Sequence, residues 1–234
     1  MDWICIVIGV LFLICLISGW VRGLFKVLLS VAGMIASIIV ATYVAPGISG
    51  YLEEHTQWDD NIAAYISEEL SFSDSENEVS KGVQVEVIND LPISEALKAS
   101  ILDNNNSEMY SALDATGVYD YIAKSMSVVI LNAVVFLVLG VVAHVFFVSL
   151  GKAVEGLTKL PILRSIDKLG GLTLGGMQAL ILIWILFLIL SITSTSEISQ
   201  EMIEAISQVS CLKLLYDNNV LLDIVGDLTR VLFL

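Results

Sequence analysis

His144 is the residue best placed to do chemistry. It stands within Val128–Leu150, a run without Asp, Glu, Lys or Arg, and an ionisable group at such depth in a membrane is rare and often functional. A proton relay needs a second ionisable member, and the centre of no other apolar run supplies one. The expectation is therefore a neutral imidazole hydrogen-bonded to a neighbouring helix. His55 with Glu53, Glu54, Asp59 and Asp60 has cation-binding residue types but no fixed ligand spacing, and reads as solvated charge. No metal or cofactor is expected. No phosphate loop, catalytic carboxylate pair or nucleophile constellation occurs, so the chain is expected not to be an enzyme.

The remaining candidates are structural. Gly171-x-x-x-Gly175, extended to Ala179, and Gly33-x-x-x-Ser37 with Ala41 each place small residues on one helix face. Helices in lipid associate through such close backbone approach. Asp167 follows Pro161 and precedes an apolar run. Its expected role is to cap that helix, with an ion pair to Arg22 as the sharper alternative. Arg22-Gly23 forms a tight turn, with Gly23 supplying the backbone freedom.

These positions are held by apolar helices. The 234 residues are 56% hydrophobic and 15% charged, with a mean hydropathy of +0.85, above the apolar share of a soluble domain. A membrane-spanning helix needs about 20 apolar residues, and Trp3–Trp20, Leu24–Val44, Val128–Leu150 and Leu172–Ile192 qualify. Residues 1–45 and 128–193 thus read as two transmembrane hairpins. The net charge of −14 leaves no basic surface for nucleic acid.

Six of the eleven basic residues lie in two short segments, Arg22 and Lys26 in one and Lys152, Lys159, Arg164 and Lys168 in the other. The positive-inside rule puts both in the cytoplasm and both termini outside. Met1-Asp2-Trp3 lacks a positive n-region and no good cleavage site follows, so the first helix is expected to be retained.

Residues 46–127 carry sixteen acidic residues against three lysines and form an acidic extracytoplasmic segment. Asp59-Asp60-Asn61 is expected to cap a helix over Ile62–Leu70, and Pro92-Ile93-Ser94 to open another through Asp103. Ser71–Glu78 reads as a linker, and Val83–Val87 alternates like a strand. With too few apolar residues for a separate core, these helices are expected to rest on the membrane or on each other. Residues 194–234 read as two amphipathic helices lying on the bilayer, joined by Asp217-Asn218-Asn219. Cys5, Cys15 and Cys211 show no motif spacing and read as packing residues.

Several of these features together resemble the colicin V production protein family of small bacterial inner-membrane proteins. They are Asp2 before the first span, Arg22-Gly23 followed by Leu24 and Lys26, Leu160-Pro161 leading to Ile166-Asp167-Lys168-Leu169, and Gly171-x-x-x-Gly175. The tail Leu214–Asn219 is typical of its Gram-positive members. Gln178 stands where a basic residue is common, and Gly170 replaces a bulkier apolar residue. The resemblance implies a role in peptide-toxin production or export and in envelope upkeep, without an agreed reaction. Some relatives attach this unit to a serine protease, but neither G-x-S-x-G nor G-D-S-G occurs here.

The sequence therefore predicts an all-α, multi-pass plasma-membrane protein of four spans with extracytoplasmic amphipathic helices. The expected role is a non-enzymatic scaffold or secretion accessory that works with the lipid bilayer and an envelope or membrane protein. The alternative is an oligomeric channel or small-solute transporter, self-associating through its glycine faces.

Overall fold

The structure is a computed structural model that describes residues 3–70, 81–91, 93, 95–155 and 164–232. All regular structure among them is helical. Pro161, Lys159 and the expected linker Ser71–Glu78 lie outside the described residues. Four helices are long and apolar enough to cross a membrane: α1 (Trp3–Arg22), α2 (Leu24–His55), α7 (Val118–Glu155) and α8 (Arg164–Ile192).

At about 1.5 Å per residue α1 matches a hydrocarbon core of about 30 Å. The 32 residues of α2 and 38 of α7 exceed it. Their excess projects from the same end of the bundle, because α2 ends there and α7 begins there. Gly23 alone separates α1 from α2, with φ of 80°. Its N–H closes the last turn of α1 on the Gly19 carbonyl and its own carbonyl accepts from Val27, so the chain reverses within one residue.

Helix pairing crosses between the two halves of the chain. α1 packs along α8, and α2 packs along both α7 and α8, whereas α1 with α2 and α7 with α8 make few contacts. The order across the bundle is α1, α8, α2, α7. Each helix of an expected hairpin thus finds its main neighbour in the other hairpin.

The projecting ends of α2 and α7 carry α3 (Trp58–Glu69), α4 (Lys81–Asp90), α5 (Glu95–Asp103) and α6 (Ser107–Ala112). These helices do not simply rest on the membrane or on each other. Ile66, Ile88, Leu97, Ile101 and Met109 share one core with Tyr121, Ile122 and Met126 of α7. Few apolar residues suffice because α7 supplies the other side of that core. The Tyr121 hydroxyl donates to the Ile101 carbonyl at 2.8 Å, and Tyr110 stacks on Tyr121 with ring centroids 4.4 Å apart.

Val83–Val87 is helical, not a strand. With no strand among the described residues to pair with it, a helix satisfies the backbone locally, and Ile88 and Leu91 then reach the core. α3 begins at Trp58, so Asp59 and Asp60 occupy its first turn and do not cap it. Asn106 caps α6, accepting from the Met109 amide at 3.0 Å.

The tail is built into the bundle instead of lying on the bilayer. It comprises α9 (Glu197–Ser207), α10 (Ser210–Asp217) and α11 (Val220–Leu232). Ile206, Leu212 and Tyr216 pack on Ile4 and Ile8 of α1 and on Ile183 and Phe187 of α8. Leu221, Val225 and Leu228 of α11 join the larger core. Apolar contact alone does not favour this over lipid, since acyl chains are equally apolar. Hydrogen bonds fix the choice. Trp184 Nε1 donates to the Leu215 carbonyl at 3.2 Å, Asn219 Nδ2 donates to the Trp184 carbonyl at 3.0 Å, and Ser191 Oγ lies 2.7 Å from the Tyr216 hydroxyl.

Candidate functional site

Two places gather the polar and small residues of the spans: the turn between α1 and α2, and a cavity among α2, α7 and α8. At the turn, α2 begins on a glycine that offers no side chain to its orphan first-turn amides. Asp167 supplies the missing acceptor from α8. Its Oδ1 accepts from the Leu24 amide at 2.9 Å, and its charge sits at the positive end of the α2 dipole.

Asp167 therefore caps a helix other than its own, because α8 starts three residues earlier at Arg164. Among the described residues no ion pair joins Asp167 to Arg22, whose side chain is exposed. Gly23 is required twice over. Its φ is positive, and a Cβ there would overlap the Asp167 carboxylate. Lys168 completes the turn, its Nζ lying 5.3 Å from the centroid of the Trp20 ring, a cation–π contact.

Beyond the turn the backbones of α1 and α8 touch. A Cβ on Gly171 would overlap the Gly19 carbonyl, and one on Gly175 would come within 2.5 Å of the Cys15 carbonyl. The spacing Cys15-x-x-x-Gly19-x-x-x-Gly23 is the counterpart of Gly171-x-x-x-Gly175. Gly170 lies under Leu24, whose Cδ1 would be 2.6 Å from an added Cβ. A bulkier residue there would force the Leu24 side chain to another rotamer. Ala179 continues the α8 face and is fully buried. On α2, Gly33 and Ser37 are buried, with Gly33 facing Phe147 of α7.

The cavity has a volume of about 300 Å³ and opens between the spans. Met34 and Ser37 of α2, Gly140 and His144 of α7, and Gln178 of α8 line it, with Leu221 of α11 at its edge. The Ser37 hydroxyl donates to the Met34 carbonyl at 2.7 Å and is satisfied within its own helix. His144 Nδ1 is buried without a partner, so the expected bond to a neighbouring helix is not made through that atom. Sequence reasoning noticed Gln178 only as an unusual residue, and the structure places it in the same cavity.

Other polar groups are dispersed. His55 stacks on Tyr51 and its Nδ1 donates to the Tyr51 carbonyl at 3.0 Å, which turns it toward its own helix. Glu53 and Asp59 each bury one carboxylate oxygen without a hydrogen bond. Asn132 of α7 is fully buried with neither end of its amide bonded; nothing but its polarity within an apolar run marked it. Cys15 is buried, Cys5 half-buried and Cys211 exposed.

The family model described as Colicin V production protein matches residues 4–72 and 110–212, which include both sides of the α1–α8 contact and all four apolar helices. No curated protein and no solved structure matches the chain. The chain belongs to the colicin V production protein family.

Proposed function

Starting from that membership, we propose that this membrane protein is a non-enzymatic scaffold or accessory factor for peptide-toxin production or export and for envelope maintenance. In this reading it lies in the bacterial plasma membrane. Arg22, Lys26 and Lys168 face the cytoplasm, while both termini and the α3–α6 and α9–α11 layers face outward. Excess basic residues in the short loops support the orientation.

One observation supports partner capture on the outer side. Between α5 and the α9–α10 pair runs a cleft of about 320 Å³, lined by Glu95, Glu204, Asp217 and Lys213 together with Ile203, Ile206 and Tyr216. The buried Ser194 hydroxyl, which has no hydrogen-bond partner, also lines it. An apolar floor with a few convergent polar groups is the usual form of a binding cleft. In-cell crosslinking with mass spectrometry tests the reading. A Glu204→Lys, Asp217→Lys double variant should insert normally yet lose a crosslinked envelope protein; identical crosslinks in both forms would refute it.

Orientation is tested separately in a cysteine-free background. Glu54→Cys should react with an impermeant maleimide on intact cells, and Arg22→Cys only after permeabilisation. The second reading, an oligomeric channel or small-solute transporter, is favoured by the cavity at His144. It requires solute flux in proteoliposomes that His144→Ala reduces.

A further inference from the structure

We propose that the cavity among α2, α7 and α8 is a binding site for a neutral amphiphile drawn from the bilayer. Its single hydrogen-bonding head is held by His144 and Gln178, and α11 closes the site through Leu221. This rests on the four helices spanning a membrane and is independent of the scaffold reading.

The size and lining of the cavity select the ligand. A cavity of about 150 Å³ lined by apolar side chains accommodates benzene, so about 300 Å³ admits a molecule of roughly ten to twelve non-hydrogen atoms. Among the described residues no charged side chain lines it, which disfavours an ion. Most of the wall is apolar, formed by residues such as Met34, Phe136, Ile181 and Ile185. Three polar side chains interrupt it, Ser37, His144 and Gln178, and the Ser37 hydroxyl is satisfied on the Met34 carbonyl. Among the described residues His144 Nδ1 has no partner, and the Gln178 side chain makes no hydrogen bond either.

Other occupants fit less well. Water filling such a volume would number roughly ten molecules, each needing two to four polar partners, and these walls offer too few. A phospholipid acyl chain would fill the space but leave both polar groups unsatisfied in a medium that cannot hydrogen-bond them. One alcohol or protonated acid on an apolar body of about ten carbons satisfies both conditions at once.

Access and closure are also present. α7 and α8 make few contacts with one another, and Val141 and Val145, which line the cavity, are exposed on the outer surface of α7. The gap between these helices therefore opens sideways toward lipid. Leu221 is 2% exposed and borders the cavity. It is held by its N–H bond to Asn219 Oδ1 at 3.1 Å, while Asn219 itself is anchored on the Trp184 carbonyl.

The probes are 1-decanol and n-decane added to the full chain in lipid nanodiscs. Only two histidines occur in the chain, so imidazole nitrogen NMR assigns His144 by comparison with His55→Gln. Decanol should shift the His144 signal and leave His55 unmoved, and decane should shift neither. A diazirine analogue of decanol should label residues lining the cavity. His144→Phe, Gln178→Leu and Leu221→Trp should each reduce that labelling at least tenfold while retaining wild-type helicity by circular dichroism. An unmoved His144 signal on the wild-type protein would overturn the proposal without reliance on any variant. So would labelling confined to lipid-facing Val138 and Val142 and equal in all forms, since that pattern reports partition into the bilayer.

Discussion

The carboxylate of Asp167 sits 2.9 Å from the amide nitrogen of Leu24 across 143 residues of chain. The start of α2 is thereby capped by α8, and the turn that reverses α1 is tied to the far half of the protein. Replacing a capping side chain by Ala costs about 1 kcal/mol, within a range of about 0.5–2. Asp167→Ala should lower stability by that amount in detergent unfolding, and Asp167→Asn, which keeps an acceptor, by less. Equal stability of Ala and wild type would show that the cap contributes nothing.

Gly171 and Gly19 should tolerate no side chain. Gly171→Ala forces a methyl against the Gly19 carbonyl, and overpacking of this kind typically costs about 1–3 kcal/mol. Gly9→Ala in the same bundle meets nothing within 4 Å and should be neutral or stabilising, as glycine is a poor helix residue. Thermal unfolding of the two variants side by side separates packing from propensity.

Asn132→Leu should leave the fold intact and raise its stability. Both ends of the native amide are buried without partners, and exchanging an unsatisfied polar group for an apolar one of similar size is neutral or favourable. A loss of more than about 1 kcal/mol in the same unfolding assay would mean that the amide is bonded in the membrane.

Tyr110 should report on alkaline unfolding. Its hydroxyl is buried without a partner, and burial raises its pKa above the ordinary value of 10.0. The folded state then holds the phenolic proton more tightly than the unfolded chain. Stability from this group is complete below pH 10 and is lost as pH climbs toward the raised folded value. Tyr110→Phe should flatten that alkaline decline while leaving stability at neutral pH unchanged or slightly higher. An unchanged slope in a pH series of melting temperatures would exclude the effect.

The tail should be released by a single amide. Asn219→Ala removes the bond to the Trp184 carbonyl, so limited proteolysis between α10 and α11 should accelerate several-fold. Cleavage at the wild-type rate would place the anchoring elsewhere.

How much of this was legible depended on whether the relevant partner lay nearby in the sequence. Span positions follow from local apolar runs, and all four emerge as helices longer than the runs themselves. Asp167 was recognisable as a capping residue because acids suit helix starts, but its recipient was not, since nothing local to Asp167 points to Leu24. Gly19 is illegible for the same reason: a small residue in an apolar run acquires meaning only when Gly171 is laid against it. The strand expected at Val83–Val87 failed because alternation says nothing about whether a neighbouring strand exists. The amphipathic face of the tail suits a bilayer and a protein core equally well. Trp184, Ser191 and Asn219 decide between them.

The crossed pairing of helices also has a consequence in time. α1 and α2 are made first, yet α1 finds its close-packed neighbour only in α8. At synthesis rates of about 5–20 residues per second, the 143 residues between Leu24 and Asp167 correspond to roughly 7 to 30 s. Throughout that interval the nascent chain keeps the Gly19 face bare and the first amide of α2 uncapped within the inserting membrane. Surveillance proteases and insertion chaperones would meet an unfinished helix pair, and the arrival of α8 would be the event that hides it.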